Sequence, residues 1–153
     1  MNQRTTVLIS CVSQKLKHKA KVRDLYISPL FKKNLQYAMS LHPDKIFILS
    51  AKYGLLELDD EIDTYNVTLN KMKADEIKAW SDMVLSQLNA ITDITTDEFI
   101  FLAGANYRKY LLPHIPHHQI PMEGLKIGKQ LQWLTKKLNN GTHNKTIATH
   151  REH

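Results

Sequence analysis

The stretch Lys45-Ile46-Phe47-Ile48-Leu49-Ser50 is apolar from its second to its fifth residue, without alternation of polar and apolar side chains. A short run of this kind is typical of a strand covered on both faces, as in a parallel sheet. Thr5-Thr6-Val7-Leu8-Ile9-Ser10 and Glu98-Phe99-Ile100-Phe101-Leu102-Ala103 have the same character, and His118-Gln119-Ile120-Pro121 is a weaker fourth example. The sequence therefore predicts four central strands.

Helical patterns lie between these strands. Ser28-Pro29 is a helix start signal, because serine is a favoured cap and proline fits the first helical position. A shorter helix is predicted from Tyr107 to Leu112. Apolar stripes at helical spacing occur three times, as Phe31, Leu35, Ala38 and Met39, as Ile77, Trp80, Val84 and Leu88, and as Ile127, Leu131, Leu134 and Leu138. This alternation predicts an α/β fold, a three-layer α/β/α domain around a central, mainly parallel four-stranded sheet.

The length and composition favour one globular domain. We assign residues 1–138 of the 153 to a single α/β domain and 139–153 to a polar, disordered tail. No apolar run approaches the roughly 18 residues of a membrane span, and the N-terminus has no apolar signal region. The single cysteine, Cys11, excludes an intrachain disulfide. The sequence thus predicts a cytoplasmic protein without a membrane partner and leaves the oligomeric state open.

The charge is unevenly distributed along the chain. The formal net charge is +6, yet residues 1–33 carry eight Lys/Arg against one acid, 44–100 carry five against twelve, and 101–153 carry eight against two. Five cations alternate in one segment, Lys15, Lys17, Lys19, Lys21 and Arg23, and in extended form they would lie on one side and could follow a phosphate backbone. A bipolar surface with a polyanion-binding face is one interpretation, and a solvated face with a basic tail is the other.

The segments that follow the predicted strands carry the candidate binding residues. In open α/β sheets, ligands bind beyond the carboxyl ends of the strands. Small residues, hydroxyls, aromatic rings and cations at these exits suit a phosphate-bearing ligand with a base or sugar attached. The alternative is that the glycines serve turn geometry alone. The predicted substrate-binding residues are Ser10, Cys11, Lys15, Tyr26, Ser50, Tyr53, Gly54, Tyr65, Gly104, Asn106, Tyr107, Arg108 and Gly124, and the predicted phosphate contacts are Lys17, Lys19 and Lys126.

Residues 53–69 are predicted to form a long acidic loop after the second strand. Loops of about 15 residues without periodicity are often functional. The candidate carboxylates are Asp59, Asp60, Glu61 and Asp63, with solvation or helix capping as the alternative role. His114, His117 and His118 match no standard zinc motif, and the chain has neither a Walker A sequence nor Gly-x-Gly-x-x-Gly. We predict no metal site and no cofactor.

Several blocks of the sequence resemble a family of small bacterial and phage domains of unknown function, over about residues 7–138. The blocks are Ile9-Ser10-Cys11 with Lys15, Asp24 to Phe31, Leu49-Ser50-Ala51-Lys52-Tyr53-Gly54-Leu55-Leu56, Asp59, Ile62, Tyr65, Thr68-Leu69, Leu102-Ala103-Gly104 with Tyr107, and Gly124-Leu125 with Ile127-Gly128 and Leu131. The central block is also similar to a motif of the YaaA peroxide-stress proteins, which are DNA-binding. The wider group is similar to the uracil-DNA glycosylase superfamily, including the glycosylase-like domain of archaeosine synthases.

The resemblance implies a uracil-DNA glycosylase-like fold that binds nucleic acid, DNA rather than RNA, and cleaves the N-glycosidic bond of a modified or damaged base, in a setting such as phage defence. Uracil itself is an unexpected substrate, because the water-activating motif and the His-Pro-Ser type motif of those enzymes are absent. Glycosidic chemistry needs a carboxylate near the sugar, for which Asp59 is the first candidate and Asp24 the second, and a donor near the base, for which Lys52 or Asn106 qualifies. Tyr53 or Tyr65 would stack on a flipped base. A DNA- or RNA-binding module without catalysis and a nucleotide- or nucleoside-processing enzyme remain the alternatives.

Overall fold

The computed structural model describes the backbone of residues 3–152 and the side chains of residues 3–140. The strands are β1 (Thr5–Ser10), β2 (Ala20–Lys21), β3 (Lys45–Ser50), β4 (Gly54–Glu57), β5 (Glu61–Ile62), β6 (Glu98–Leu102) and β7 (His118–Gln119). The α-helices are α1 (Val22–Leu25), α2 (Pro29–Ser40), α3 (Ala74–Ile91), α4 (Ala105–Arg108) and α5 (Ile127–Glu152).

Five strands form the main sheet in the order β4-β3-β1-β6-β7. β1 is parallel to both β3 and β6, and β6 is parallel to β7, which confirms the predicted mainly parallel sheet. The predicted number of four strands is wrong. The fifth strand, β4, returns antiparallel to β3, with Gly54 opposite Ser50. The sequence predicts these residues as the start of the acidic loop, and the reversal occurs because Gly54 adopts a φ of 76° that permits a tight turn.

The helices pack on the sheet largely as their apolar stripes predict. The Ser28 hydroxyl caps α2 by accepting from the Phe31 amide at 3.1 Å, and the α3 stripe of Ile77, Trp80, Val84 and Leu88 is buried. On α2 the stripe is displaced, because Asn34 takes a buried position while Met39 is exposed. α5 includes Asn139-Asn140-Gly141, where the sequence predicted a helix end. The predicted tail of 139–153 lies mostly beyond the described side chains and stays a prediction.

Helices flank the sheet in two groups. Because β3 and β6 lie on opposite sides of β1, right-handed crossovers place α2 and α3 on opposite faces of the sheet. α2 contacts α5, and the Tyr37 and Trp133 rings meet edge to face at 5.1 Å between centroids. Both α2 and α5 follow strands that end at the same edge, so both helices begin at the carboxyl edge of the sheet. Within the described part of the chain, none of the helices has the length and hydropathy to cross a lipid bilayer.

The outer edge of β4 is closed by a side chain. The Gln87 amide of α3 accepts from the Leu55 backbone amide at 2.8 Å and donates to the Tyr53 carbonyl at 3.3 Å. One side-chain amide therefore satisfies a donor and an acceptor that a neighbouring strand would otherwise pair. The next outward amide of β4, that of Glu57, donates to the Asp60 carboxylate at 2.8 Å.

Candidate functional site

After β1 the chain passes through α2 to β3, which lies on one side of β1 in the sheet. Later it returns to form β6, which lies on the other side of β1. The carboxyl ends of β1 and β6 therefore form the topological switch point of the sheet, where open α/β folds bind their ligands. The two exits are joined directly, because the Gly104 amide donates to the Ser10 hydroxyl at 3.4 Å. Cys11 continues the ladder by donating its amide to the Leu49 carbonyl at 3.0 Å.

Beside the switch point, three hydroxyl groups form a continuous chain. The Ser50 hydroxyl donates to the Tyr65 hydroxyl at 2.9 Å, and the Tyr65 and Tyr26 hydroxyls are 2.6 Å apart. Ser50 in turn accepts from the backbone amides of Lys52 at 3.3 Å and Tyr53 at 3.1 Å. The turn after β3 thus fixes Ser50, and Ser50 orients both phenols.

A second group of polar side chains lies around Tyr107. Its hydroxyl accepts from the Cys11 thiol and from the Leu69 amide, each at 3.4 Å. The Trp80 ring meets the Tyr107 ring edge to face at 5.6 Å and donates from Nε1 to the Ser50 carbonyl at 2.9 Å, which ties the two groups together. We define the exit cluster as Cys11, Lys15, Tyr26, Ser50, Tyr65 and Tyr107.

Lys15 supplies the positive charge of the exit cluster. Its Nζ lies 4.5 Å from the centroid of the Tyr65 ring and 5.9 Å from that of Tyr26, within cation–π range. Burial lowers the pKa of the Lys15 ammonium. Burial also raises the pKa of the Tyr26, Tyr65 and Tyr107 phenols, so all three stay neutral hydroxyls at physiological pH.

The structure separates the first predicted catalytic carboxylate from the exit cluster. β4 begins opposite Ser50 and ends opposite Phe47, so Asp59 lies beyond the end of β4 that is about 10 Å from the exits. There, Asp59 is exposed and forms an ion pair with Arg23 at 2.9 Å. Asp24, the second candidate, is an exposed residue of α1. Two carboxylates of the acidic loop, Asp59 and Glu61, therefore face the basic run (the cations from Lys15 to Arg23) rather than the strand exits.

The basic run does not form one extended row of cations, which corrects that prediction. Leu16 donates to the Leu25 carbonyl and Val22 to that of Asp60, and these bonds reverse the chain between Lys15 and α1. Lys15 is directed to the exit cluster, whereas Lys19 lies 4.0 Å from Glu61. Lys17 is exposed in the bend between them.

The exit of β7 lies apart from the exit cluster. β7 is two strands from β1, about 10 Å across the sheet, and Gly124 and Lys126 are exposed in the turn that follows it. Arg108 donates to the Ala103 carbonyl and lines a cavity of about 20 Å³ with Met122, Gln130 and others. These three predicted residues therefore belong to the β6–β7 side of the sheet.

Tyr53, Lys52 and Asn106 lie at the rim of the exit cluster. Lys52 Nζ is 5.2 Å from the centroid of the half-buried Tyr53 ring. Asn106 donates to the Asn70 side chain at 2.9 Å, so Asn70, which no pattern in the sequence singles out as a binding residue, joins the rim. Its only sequence signal is the preceding Thr68, whose hydroxyl accepts from the Asn70 amide at 3.3 Å. The apolar stripe of α3 predicts Trp80 as a core residue, and it does not reveal the hydrogen bond from Trp80 to the Ser50 carbonyl.

Gly54 has a structural explanation independent of any ligand. A Cβ at this position would lie 2.4 Å from Gln87 Oε1 and 2.8 Å from Met83 Cε, and the φ of 76° disfavours other residues. We expect Gly54→Ala to lower the free energy of unfolding by about 1–3 kcal/mol through backbone strain, with the clash in addition. Urea unfolding followed by circular dichroism measures this loss.

Gly128→Ala is the matched control, because a Cβ at Gly128 meets no heavy atom within 4 Å and alanine favours a helix by up to about 1 kcal/mol. Equal stability of Gly54→Ala and the unmodified protein would show that the turn after β3 tolerates a side chain.

The side chains of the described residues include no group of three or more His, Cys, Asp or Glu that could hold a metal ion. A shallow concavity of about 510 Å³ lies along α5, lined by residues that include Gln132 and Lys136. It is formed by a single helix and is remote from the strand ends, so we place the candidate site at the exit cluster.

The fold and the exit cluster define a small α/β protein with a polar site at the switch point of a mainly parallel sheet. The chain belongs to a family of unknown function (DUF6884), which it matches over residues 6–136. No curated protein and no solved structure matches it. Family membership agrees with the resemblance to small domains of unknown function, whereas the resemblance to YaaA proteins and to uracil-DNA glycosylases stays a prediction.

Proposed function

We propose that this protein binds a nucleotide unit of DNA at the exit cluster. The observation that carries the proposal is the position of Lys15, whose ammonium lies over the Tyr65 ring beside the switch point. A cation next to hydroxyl groups and an aromatic ring provides one contact for a phosphate and others for a sugar and a base.

The ion pairs of the neighbouring cations support this role for Lys15. Lys19 and Arg23 belong to the same basic run, and each has a carboxylate within 4.0 Å. Lys15, by contrast, forms no ion pair with any of the described residues. Its charge is therefore available to a ligand, and partial burial strengthens its interaction with an anion relative to that of a fully solvated lysine.

The aromatic rings of the site divide into supporting and accessible ones. Tyr26 is 0% exposed and Tyr107 is 5% exposed, so their rings are inaccessible to a ligand and form the buried part of the exit cluster. Tyr53 and Tyr65 are partly exposed, and their rings meet edge to face at 5.7 Å. An unpaired base can stack on such a ring, which favours single-stranded or flipped nucleotides over a base within a duplex.

We expect Lys15→Met to weaken binding to a short single-stranded DNA about tenfold, because one phosphate contact is lost while the apolar stem of the side chain is kept. The slope of the logarithm of affinity against the logarithm of salt concentration should fall by about 0.7. Fluorescence anisotropy of a labelled 12-residue oligonucleotide over a salt series measures both quantities.

Lys17→Met removes the same charge two residues away, from an exposed position, and serves as the control. Equal losses of affinity in the two variants would show that Lys15 acts only through the general positive charge of the surface. An affinity of Lys15→Met equal to that of the unmodified protein would refute the proposed site.

A second candidate function, hydrolysis of the N-glycosidic bond of a modified or damaged base, is favoured by one observation. Lys15 is a cation with a lowered pKa beside the Ser50–Tyr65–Tyr26 hydroxyl chain. Such a cation is a better proton donor to a departing base, and oriented hydroxyls stabilise the negative charge that develops on it. With Asp59 at the far end of β4, this reaction would depend on donors at the base more than on a carboxylate at the sugar.

Base release separates the two functions. We would assay plain, uracil-containing, deaminated, alkylated and hypermodified DNAs for abasic sites by alkaline cleavage. Release that is lost in Tyr65→Phe, with binding retained, would establish the glycosylase. Tight binding without release from any of these DNAs would leave the binding function alone.

A further inference from the structure

We propose that the outer face of α2 and α5 binds the phosphate backbone of the nucleic acid whose nucleotide occupies the exit cluster. This inference rests on the proposed function and extends it to a second surface. We name that surface the lysine face, and it consists of Lys32, Lys33, Lys126, Lys129, Lys136 and Lys137.

The lysine face carries one sign of charge only. Residues 29–40 and 126–140 contain no aspartate or glutamate, and the acids that flank them in sequence are Asp24 and Asp44 around α2 and Glu123 in the turn before α5. Five of the six lysines are exposed, and Lys33 is partly exposed. Within the described side chains, the ion pairs are those of Lys19 and Arg23, so the lysine face keeps its full charge. An unneutralised cationic surface of this kind is the electrostatic signature of a polyanion partner.

The position of the lysine face connects it to the exit cluster. α2 and α5 both begin at the carboxyl edge of the sheet and run away from it side by side. Lys129 and Lys136 are seven residues apart, so they lie on one side of α5 about 10 Å from each other. Residues 126–140 extend over about 20 Å, enough to contact several successive phosphates of a strand that leaves the exit cluster.

The other surfaces of the molecule are less suited to this partner. α3, on the opposite face of the sheet, carries Asp75, Glu76 and Asp82 against Lys78 alone. The basic run before α1 is partly neutralised by the acidic segment.

An anionic membrane is the competing partner for the lysine face. A helix that binds a bilayer must offer its apolar side to the lipid. Most of the apolar side of α5 is occupied instead, because Leu134 is buried and Trp133 packs on Tyr37 of α2, and its exposed apolar residue is Ile127 in the first turn. The charges and the packing together favour nucleic acid.

The test compares Lys129→Glu/Lys136→Glu with Lys45→Glu/Lys78→Glu, which changes the net charge equally at exposed positions outside the lysine face. We expect the first variant to bind a 20-base-pair duplex with a single-stranded end at least tenfold more weakly and to lose about 1.8 from the salt slope, the value for two phosphate contacts. The second variant should stay close to the unmodified protein. Both variants should bind a dinucleotide normally.

Each outcome decides between the proposals. Equal losses in the two variants, or no loss in either, would overturn the lysine face while leaving the exit cluster untouched. A loss confined to Lys129→Glu/Lys136→Glu, with Lys15→Met unchanged, would support the lysine face and refute the exit cluster. Lysine-dependent binding to phosphatidylserine vesicles without binding to DNA would assign this surface to a membrane and overturn the proposal.

Discussion

Replacement of Trp80 by alanine is expected to lower the free energy of unfolding by about 3–5 kcal/mol, the range for a large buried aromatic residue. Trp80 is 6% exposed, contacts the Tyr107 ring and donates to the Ser50 carbonyl. Its removal leaves a cavity and an unpaired buried carbonyl in the same place. Because Ser50 and Tyr107 both belong to the exit cluster, the loss of stability should be accompanied by weaker oligonucleotide binding. Urea unfolding and anisotropy measure the two effects.

Two further variants keep this prediction testable if Trp80→Ala does not fold. Trp80→Phe retains an aromatic ring but removes the donor, and it should cost about 1–3 kcal/mol. Trp133→Ala removes the other tryptophan, which is only partly buried against Tyr37, and should cost less than Trp80→Ala. A Trp80→Phe variant as stable as the unmodified protein would show that the bond to Ser50 does not stabilise the turn after β3.

The protein is expected to lose stability steeply above about pH 10. Burial raises the pKa of Tyr26 and of Tyr107 above that of an unfolded tyrosine, which is about 10. The stabilisation from these neutral phenols is therefore fully present below pH 10 and is lost as the pH rises toward the pKa values of the folded state. Each buried phenol contributes a slope of about 1.4 kcal/mol per pH unit in that range.

Urea unfolding between pH 9 and pH 11 tests this dependence. Lysines also lose charge in this interval, so the informative quantity is the difference between the unmodified protein and Tyr26→Phe. That variant removes one buried phenol, and between pH 9 and pH 11 its free energy of unfolding should fall by about 1.4 kcal/mol less than that of the unmodified protein, most of the difference arising above pH 10. Parallel slopes would show that Tyr26 ionises without cost in the folded protein.

The sequence predicted the parts of the fold that depend on local pattern. β1, β3 and β6 are predictable because central strands are covered on both faces and are therefore apolar throughout, without alternating polar residues. The start of α2 is predictable because Ser28 is a favoured cap residue. β4 was missed because its four residues acquire strand structure only from pairing with β3 and from the side chain of Gln87. Asn34 was missed because a helical stripe of apolar residues does not select a buried amide.

The candidate site was predicted in composition more than in geometry. Strand exits converge in any parallel sheet, so Cys11, Ser50 and Tyr107 could be grouped from the order of the elements alone. The position of Asp59 depended on β4, whose antiparallel return carries Asp59 past the end of β4 that is about 10 Å from the strand exits. The ion pair of Asp59 with Arg23 depends in turn on the chain reversal after Lys15. Main-chain hydrogen bonds determine this reversal, so no pattern of side chains in the sequence predicts it.

The Gln87 amide also determines how the sheet meets other molecules. An unprotected edge strand offers its amides and carbonyls to any extended chain, which is a common route to uncontrolled association. At β4 the Leu55 amide and the Tyr53 carbonyl are already bonded within the molecule, and the Glu57 amide is bonded to Asp60. An incoming strand would have to displace three internal bonds before forming its own. The edge of β4 is consequently protected against pairing with a second copy of the protein. If many copies were bound close together on one polyanion, their β4 edges would not be expected to join into an intermolecular sheet.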